Sequence, residues 1–174
     1  MTSRGMNFVT RMIILFLFLT CLIVGIKCDG LDTFHVTIIR LNGLVPPPPG
    51  SEGKALVWVH CSADIDTTTL RVPYTVIIDL EVRGTGKKVE KIAGYCPQRT
   101  VPLPRNAFLF ISEKTLLEMI DPLPKNQDII YTITLKGEKG TPIAIRDISG
   151  NVLDGDKDNK PGGDHVEVLF KRME

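Results

Sequence analysis

The residues with the clearest potential for chemistry lie near the C-terminus, in the segment DGDKDNKPGGD that spans residues 154–164. It contains the four aspartates Asp154, Asp156, Asp158 and Asp164. Ca²⁺ prefers oxygen ligands and accepts irregular sets of carboxylates and backbone carbonyls. The first three aspartates alternate with other residues, so their carboxylates could converge only if the chain curled around an ion. The segment is therefore a candidate calcium site.

The same segment also has the composition of a turn between two strands. A calcium loop of the EF-hand type would need glycine at its sixth position and glutamate at its twelfth, where this chain has Asn159 and His165. Lys157 and Lys160 offset half of the negative charge. In a Gly/Asp turn, the carboxylates would instead accept hydrogen bonds from backbone N–H groups. The sequence favours the turn and keeps a weak Ca²⁺ site, with Kd of about 10⁻⁴–10⁻³ M, as the alternative.

Motifs of known catalytic chemistry are missing from the rest of the sequence. It contains no GxSxG, HExxH or P-loop pattern. The three histidines, His35, His60 and His165, are far apart along the chain. His60 is next to Cys61, but adjacent strand residues point to opposite faces and cannot form a nucleophile–base pair. We therefore expect a non-enzymatic protein without a catalytic residue or an organic cofactor.

The N-terminus has the pattern of an export signal. Arg4 and Arg11 precede an uncharged run from Met12 to Ile26, which is short for a membrane span. We expect residues 1–28 to be a signal peptide, with an uncleaved membrane anchor, or lipid attached to Cys21 or Cys28, as alternatives. The predicted location is thus secreted, periplasmic or on the cell surface, and membrane-anchored in the alternative.

Residues 29–174 form one predicted domain. They carry 18 basic and 20 acidic residues, a near-neutral balance that argues against a nucleic-acid partner. The domain keeps two cysteines, Cys61 and Cys96, and an even pair in an exported chain predicts a disulfide. Such a bridge would stabilise the fold by roughly 3–4 kcal/mol. Two separate buried thiols are the alternative.

Most apolar segments of the domain are typical of strands, because Val, Ile, Thr and aromatic residues dominate them. The exception is the segment 112–120, in which Ser112 could cap a short helical turn near 113–120. Short strands separated by turn signals predict an all-β sandwich of about seven antiparallel strands. The expected strands are residues 33–41, 54–61, 74–83, 87–96, 107–111, 128–136, 142–145 and 164–170.

Three segments in this order resemble the bacterial Ig-like domains of S-layer and other surface proteins. They are VHCSADIDTTTL (59–70), PLPKNQDIIYTITL (122–135) and DISGNVLDGDKDNKPGGD (147–164). The last is the most specific, since it fits D-x-x-G-N-x-L-D-G followed by P-G-G-D at every fixed position. The resemblance implies an Ig-like sandwich with a structural or adhesive role and a protein or cell-surface polymer as partner. A secreted lipid-binding sandwich of the ML type, the family of the GM2 activator, is the alternative function.

Overall fold

The computed structural model describes residues 33–41, 47–97, 103–123, 125–138 and 142–173. The predicted signal peptide, Cys21 and Cys28 lie outside these residues. In the described ranges, eight strands, one 3₁₀ turn (Thr67–Thr69) and one short α-helix follow one another along the chain. They are β1 (Val36–Leu41), β2 (Lys54–Cys61), β3 (Val76–Val82), β4 (Lys88–Val89), β5 (Gly94–Tyr95), β6 (Ala107–Thr115), α1 (Leu116–Met119), β7 (Asp128–Leu135) and β8 (His165–Arg172).

The strands form two antiparallel four-stranded sheets. The first sheet has the order β1-β2-β6-β5 and the second has the order β4-β3-β7-β8. This is the strand order of an immunoglobulin-like sandwich, with β4 added beside β3. The predicted all-β sandwich of antiparallel strands is therefore confirmed.

The core lies between the two sheets and follows from the alternation of apolar residues. In β3 and β7, every second residue is buried, as expected for strands with one face on a core. Residues from both sheets form one cluster of buried side chains. Its fully buried members include Val57, Phe110, Ile78, Leu80, Ile129, Tyr131, Ile133 and Leu135.

The predicted strand 87–96 is divided between the two sheets. β3 and β4 form the expected hairpin across the glycines 84 and 86, and both glycines have positive φ. At Lys91 the backbone takes φ 49°, and its N–H donates to the Asp79 carboxylate. This turn directs the chain away from β4, so that β5 pairs with β6 in the other sheet.

The helical turn is confirmed as Leu116–Met119, but Ser112 does not cap it. β6 continues to Thr115, and the Thr115 side chain caps the helix in a reciprocal pair with Glu118. The Ser112 hydroxyl lies inside β6, where it accepts from the Ala55 N–H and donates to the Lys114 carbonyl. The cap was assigned three residues too early because the strand is longer than its apolar segment.

The predicted strand 142–145 is not a regular strand. Isolated bridges occur only just after it, Arg146 with Val152 and Asp147 with Ile65. Asp147 is buried and closes the turn, because its carboxylate accepts from the backbone N–H groups of residues 149 and 151 and from the Asn151 side chain. The Ile65–Asp147 bridge brings the first and last of the three motif segments together.

Candidate functional site

The aspartate-rich loop is held at its neck by backbone hydrogen bonds. Leu153 is fully buried, and its carbonyl accepts from the Gly162 N–H at 3.0 Å. The Gly155 N–H donates back to the Gly162 carbonyl at 2.9 Å. The Asp154 N–H donates to the carbonyl of Phe34, just before β1, at 2.7 Å. The loop is thus closed on itself and attached to the entry of the first strand.

Within the loop, the backbone reverses at two non-glycine residues. Lys157 has φ 60° and Asn159 has φ 65°, and asparagine is one of the residues that adopt this left-handed region most readily. The Asn159 N–H donates to Asp154 Oδ2 at 3.1 Å. The reversals curl the segment so that Asp154, Asp156 and Asp158 face one another.

The three carboxylates lie close together, and each also accepts a backbone N–H group, as expected of a turn: Asp154 from Asn159, Asp156 from Asp158, and Asp158 from Lys160. Each offers one oxygen, and the three oxygens lie within 4.8 Å of one another. Asp156 and Asp158 are exposed, whereas Asp154 is only 1% exposed. Asp154 Oδ2 accepts from the Thr33 hydroxyl at 2.8 Å, while Asp154 Oδ1 is buried without a hydrogen-bond partner among the described residues. The cluster therefore combines two exposed carboxylates with a buried, incompletely satisfied one.

Asp164, the fourth aspartate considered, is not brought into this cluster. Its Oδ2 forms an ion pair with Lys136, and its Oδ1 accepts from the Gly137 N–H at 3.2 Å. These contacts connect the end of the loop to the residues just after β7. The partner Lys136 is 28 residues away in sequence, so the spacing of the aspartates could not reveal this pairing.

Glycines let the backbone segments of the loop approach closely. A Cβ atom at Gly155 would lie 2.3 Å from the His165 backbone nitrogen and 2.4 Å from the Gly163 carbonyl oxygen. A Cβ atom at Gly163 would lie 2.7 Å from the Asp156 carboxylate carbon. Gly155 is therefore required by packing inside the loop, and Gly163 makes room for the Asp156 side chain.

The two cysteines are free thiols in this structure. Cys61 is buried in the core and Cys96 packs against the same cluster. Burial raises the pKa of both thiols to about 12. The disulfide between them stays a prediction, and a thiol count in denaturant without reductant tests it.

After reduction, we expect both thiols to react slowly in the folded protein. At pH 8, a thiol of pKa 12 is ionised in only about one molecule in 10⁴, and the thiolate is the reactive form. Alkylation by iodoacetamide should be on the order of a thousand times slower than in denaturant, measured on the full chain carrying Cys21→Ser and Cys28→Ser. Equal rates in the folded and unfolded protein would contradict the buried position of Cys61 and the half-buried position of Cys96.

A second feature of the surface is an apolar stripe on β8, formed by Val166, Val168 and Phe170. These side chains are 57%, 48% and 59% exposed. Ile130 of β7 lies directly opposite Phe170 and shares their face of the sheet. In the described sheet β8 is an edge strand, and part of it approaches β1 of the other sheet. Between the stripe positions, Leu169 packs against the core cluster and Glu167 lies 3.2 Å from His165 Nε2.

Comparison with models of known protein families and with curated proteins gave no match to this chain. The resemblance to bacterial Ig-like domains therefore depends on the three motif segments and on the fold. Within the described ranges, no helix is long and apolar enough to cross a membrane.

Proposed function

We propose that this protein is an exported, non-enzymatic Ig-like module that binds another macromolecule at the cell envelope, a protein or a surface polymer. The apolar stripe on β8 is its contact surface. The resemblance to bacterial surface domains and the predicted signal peptide support the exported, surface-associated part of the proposal. The stripe is the single observation that carries the binding role.

The stripe departs from the pattern expected of a solvated sheet face. An antiparallel sheet with one face on the core usually presents polar residues on the other face. On β7, Thr132 and Thr134 follow this rule, but the outward positions of β8 are all apolar over the range from Val166 to Phe170. Contiguous exposed apolar surface marks contacts with other molecules, whereas single exposed apolar residues do not.

The interior of the sandwich gives less support to the lipid-binding alternative than the surface gives to the binding module. A sandwich that carries a lipid needs an apolar cavity between its sheets, but the space between these sheets is occupied by buried side chains from both. A cleft of about 550 Å³ has a mixed wall, in which the charged Asp64, Asp66 and Arg105 lie beside apolar residues such as Leu103 and Phe108. An acyl chain bound there would lie against charged groups, which is unfavourable.

The stripe should be necessary for binding. We expect the variant Val166→Thr/Val168→Thr/Phe170→Thr to capture at least tenfold less material from detergent-solubilised envelope of the producing cells than the wild-type chain, both immobilised at equal density. Threonine keeps strand propensity, so the change removes apolar surface with little effect on the fold.

The matched control is Tyr74→Thr/Tyr95→Thr/Ile148→Thr, which removes three equally exposed apolar side chains outside β8. It should capture as much as the wild type. Equal capture by the β8 variant would contradict the proposal. If native mass spectrometry of the purified protein shows one lipid bound to each chain, the result would favour the ML-type alternative.

A further inference from the structure

We propose that Asp154, Asp156 and Asp158 bind one Ca²⁺ ion, and that this ion fixes the aspartate-rich loop to the entry of β1. The proposal is independent of the binding role of β8. It depends on two separate observations, the convergence of three carboxylates and the unsatisfied oxygen of the buried one.

The buried oxygen is the stronger observation. Asp154 Oδ1 has no hydrogen-bond partner in the described part of the chain, although Asp154 is almost completely buried. Buried polar groups normally have a partner, and an ionised carboxylate that lacks one is costly. The other oxygen is already engaged by Thr33 and by the Asn159 N–H. A cation in the cluster would supply the missing partner.

The composition of the cluster indicates the class of ion. All three ligands are carboxylates, and the group that the structure brings together contains no histidine or cysteine. Zn²⁺ favours nitrogen and sulfur ligands, whereas Ca²⁺ takes oxygen ligands in irregular geometry. Mg²⁺ requires a nearly ideal octahedron and keeps several waters. A curled loop with three carboxylates at alternate positions is better suited to Ca²⁺.

The affinity should be low. Two of the three ligands are exposed, and Lys160 Nζ lies 3.6 Å from Asp158 Oδ2, where it competes with a cation. Exposed pairs of this kind are weak, so the lysine reduces the affinity without abolishing it. We expect Kd of about 10⁻⁴–10⁻³ M, in the range of extracellular calcium modules.

The ion would act on the start of the domain through Asp154. This residue contacts both Thr33, through its side chain, and Phe34, through its N–H group. A bound ion would hold the carboxylate in place and so stabilise the contact with Thr33. Calcium would thereby control how firmly the beginning of the sandwich is attached to its final loop.

The test uses the purified full chain, freed of metal with chelator, and CaCl₂ alone as the probe. At a hundredfold excess of Ca²⁺ over Kd, the melting temperature should rise by roughly 5–10 °C. Amide exchange of Phe34 and Asp154 should slow at the same time. MgCl₂ at equal concentration should give a clearly smaller rise.

The variants are Asp156→Asn and Asp158→Asn, which change exposed side chains and leave the buried Asp154 intact. Each should weaken Ca²⁺ binding at least tenfold in isothermal titration. Glu113→Gln, which removes one exposed negative charge from β6, should bind Ca²⁺ like the wild type. The proposal is overturned by a wild type whose melting temperature does not respond to Ca²⁺, by equal responses to Ca²⁺ and Mg²⁺, or by unchanged affinity in both aspartate variants.

Discussion

Replacing Phe110 by alanine should destabilise the domain by about 3–5 kcal/mol, the range measured for large aromatic residues in well-packed cores. Phe110 is fully buried in β6 and belongs to the central cluster between the sheets. Its ring also covers Gly94 of the adjacent strand β5, where an added Cβ would lie only 2.4 Å from the ring. The cavity left by the ring is bordered by both sheets and can close only partially. Urea unfolding followed by circular dichroism measures the change.

Leu117→Ala is the control for this prediction, because Leu117 is also apolar but is 53% exposed on α1. Its free energy of unfolding should stay within about 0.5 kcal/mol of the wild-type value. A loss below 1 kcal/mol for Phe110→Ala would show that Phe110 is not at the centre of the core.

Gly155→Ala should be the most damaging single change in the aspartate-rich loop, at about 3 kcal/mol or more. The new methyl group would overlap the backbone of Gly163 and of His165, and backbone atoms cannot move aside as a flexible side chain can. Separation of these segments would break the hydrogen bond between Gly155 and Gly162 at the neck of the loop. The free energy of unfolding and the Ca²⁺ response should therefore both decrease.

Gly84→Ala separates this steric effect from the ordinary cost of replacing a glycine. Gly84 lies in the β3–β4 hairpin with φ 79°, and no atom would lie within 4 Å of an added Cβ. It should lose only about 1–2 kcal/mol, the cost of a left-handed conformation. A smaller loss for Gly155→Ala than for Gly84→Ala would contradict the closed neck of the loop.

The parts of the fold that were predictable are those in which a local pattern has a single physical meaning. The β-branched composition of segments 74–83 and 128–136 predicts the strands that the structure has as β3 and β7, and the glycines 84 and 86 predict the hairpin to β4. The parts that were missed depend on distant partners. The chain turns away from β4 at Lys91, whose N–H donates to the Asp79 carboxylate. The apolar segment 142–145 belongs to no strand, and isolated bridges follow it at Arg146 and Asp147.

The candidate site was predictable to a similar degree. Asp154, Asp156 and Asp158 converge, as the calcium hypothesis required, and their carboxylates accept backbone N–H groups, as the favoured turn predicted. The spacing gave no sign that Asp164 pairs with Lys136, or that Thr33 reaches Asp154 from 121 residues away. The sequence predicts a strand at 164–170 but not the exposed apolar stripe on β8. When both faces of a strand carry apolar residues, the sequence does not tell which face packs against the core.

The most direct test of the binding role is photo-crosslinking in the producing cells. A photoreactive benzoylphenylalanine is placed at Val168, at the centre of the stripe, and in a control strain at Ile148, which lies outside β8 and is 67% exposed against 48% for Val168. If the stripe is the contact surface, irradiation at position 168 should give a discrete higher-mass adduct with an envelope component, and position 148 should give none. Equal adducts at both positions, or none at position 168, would contradict the account.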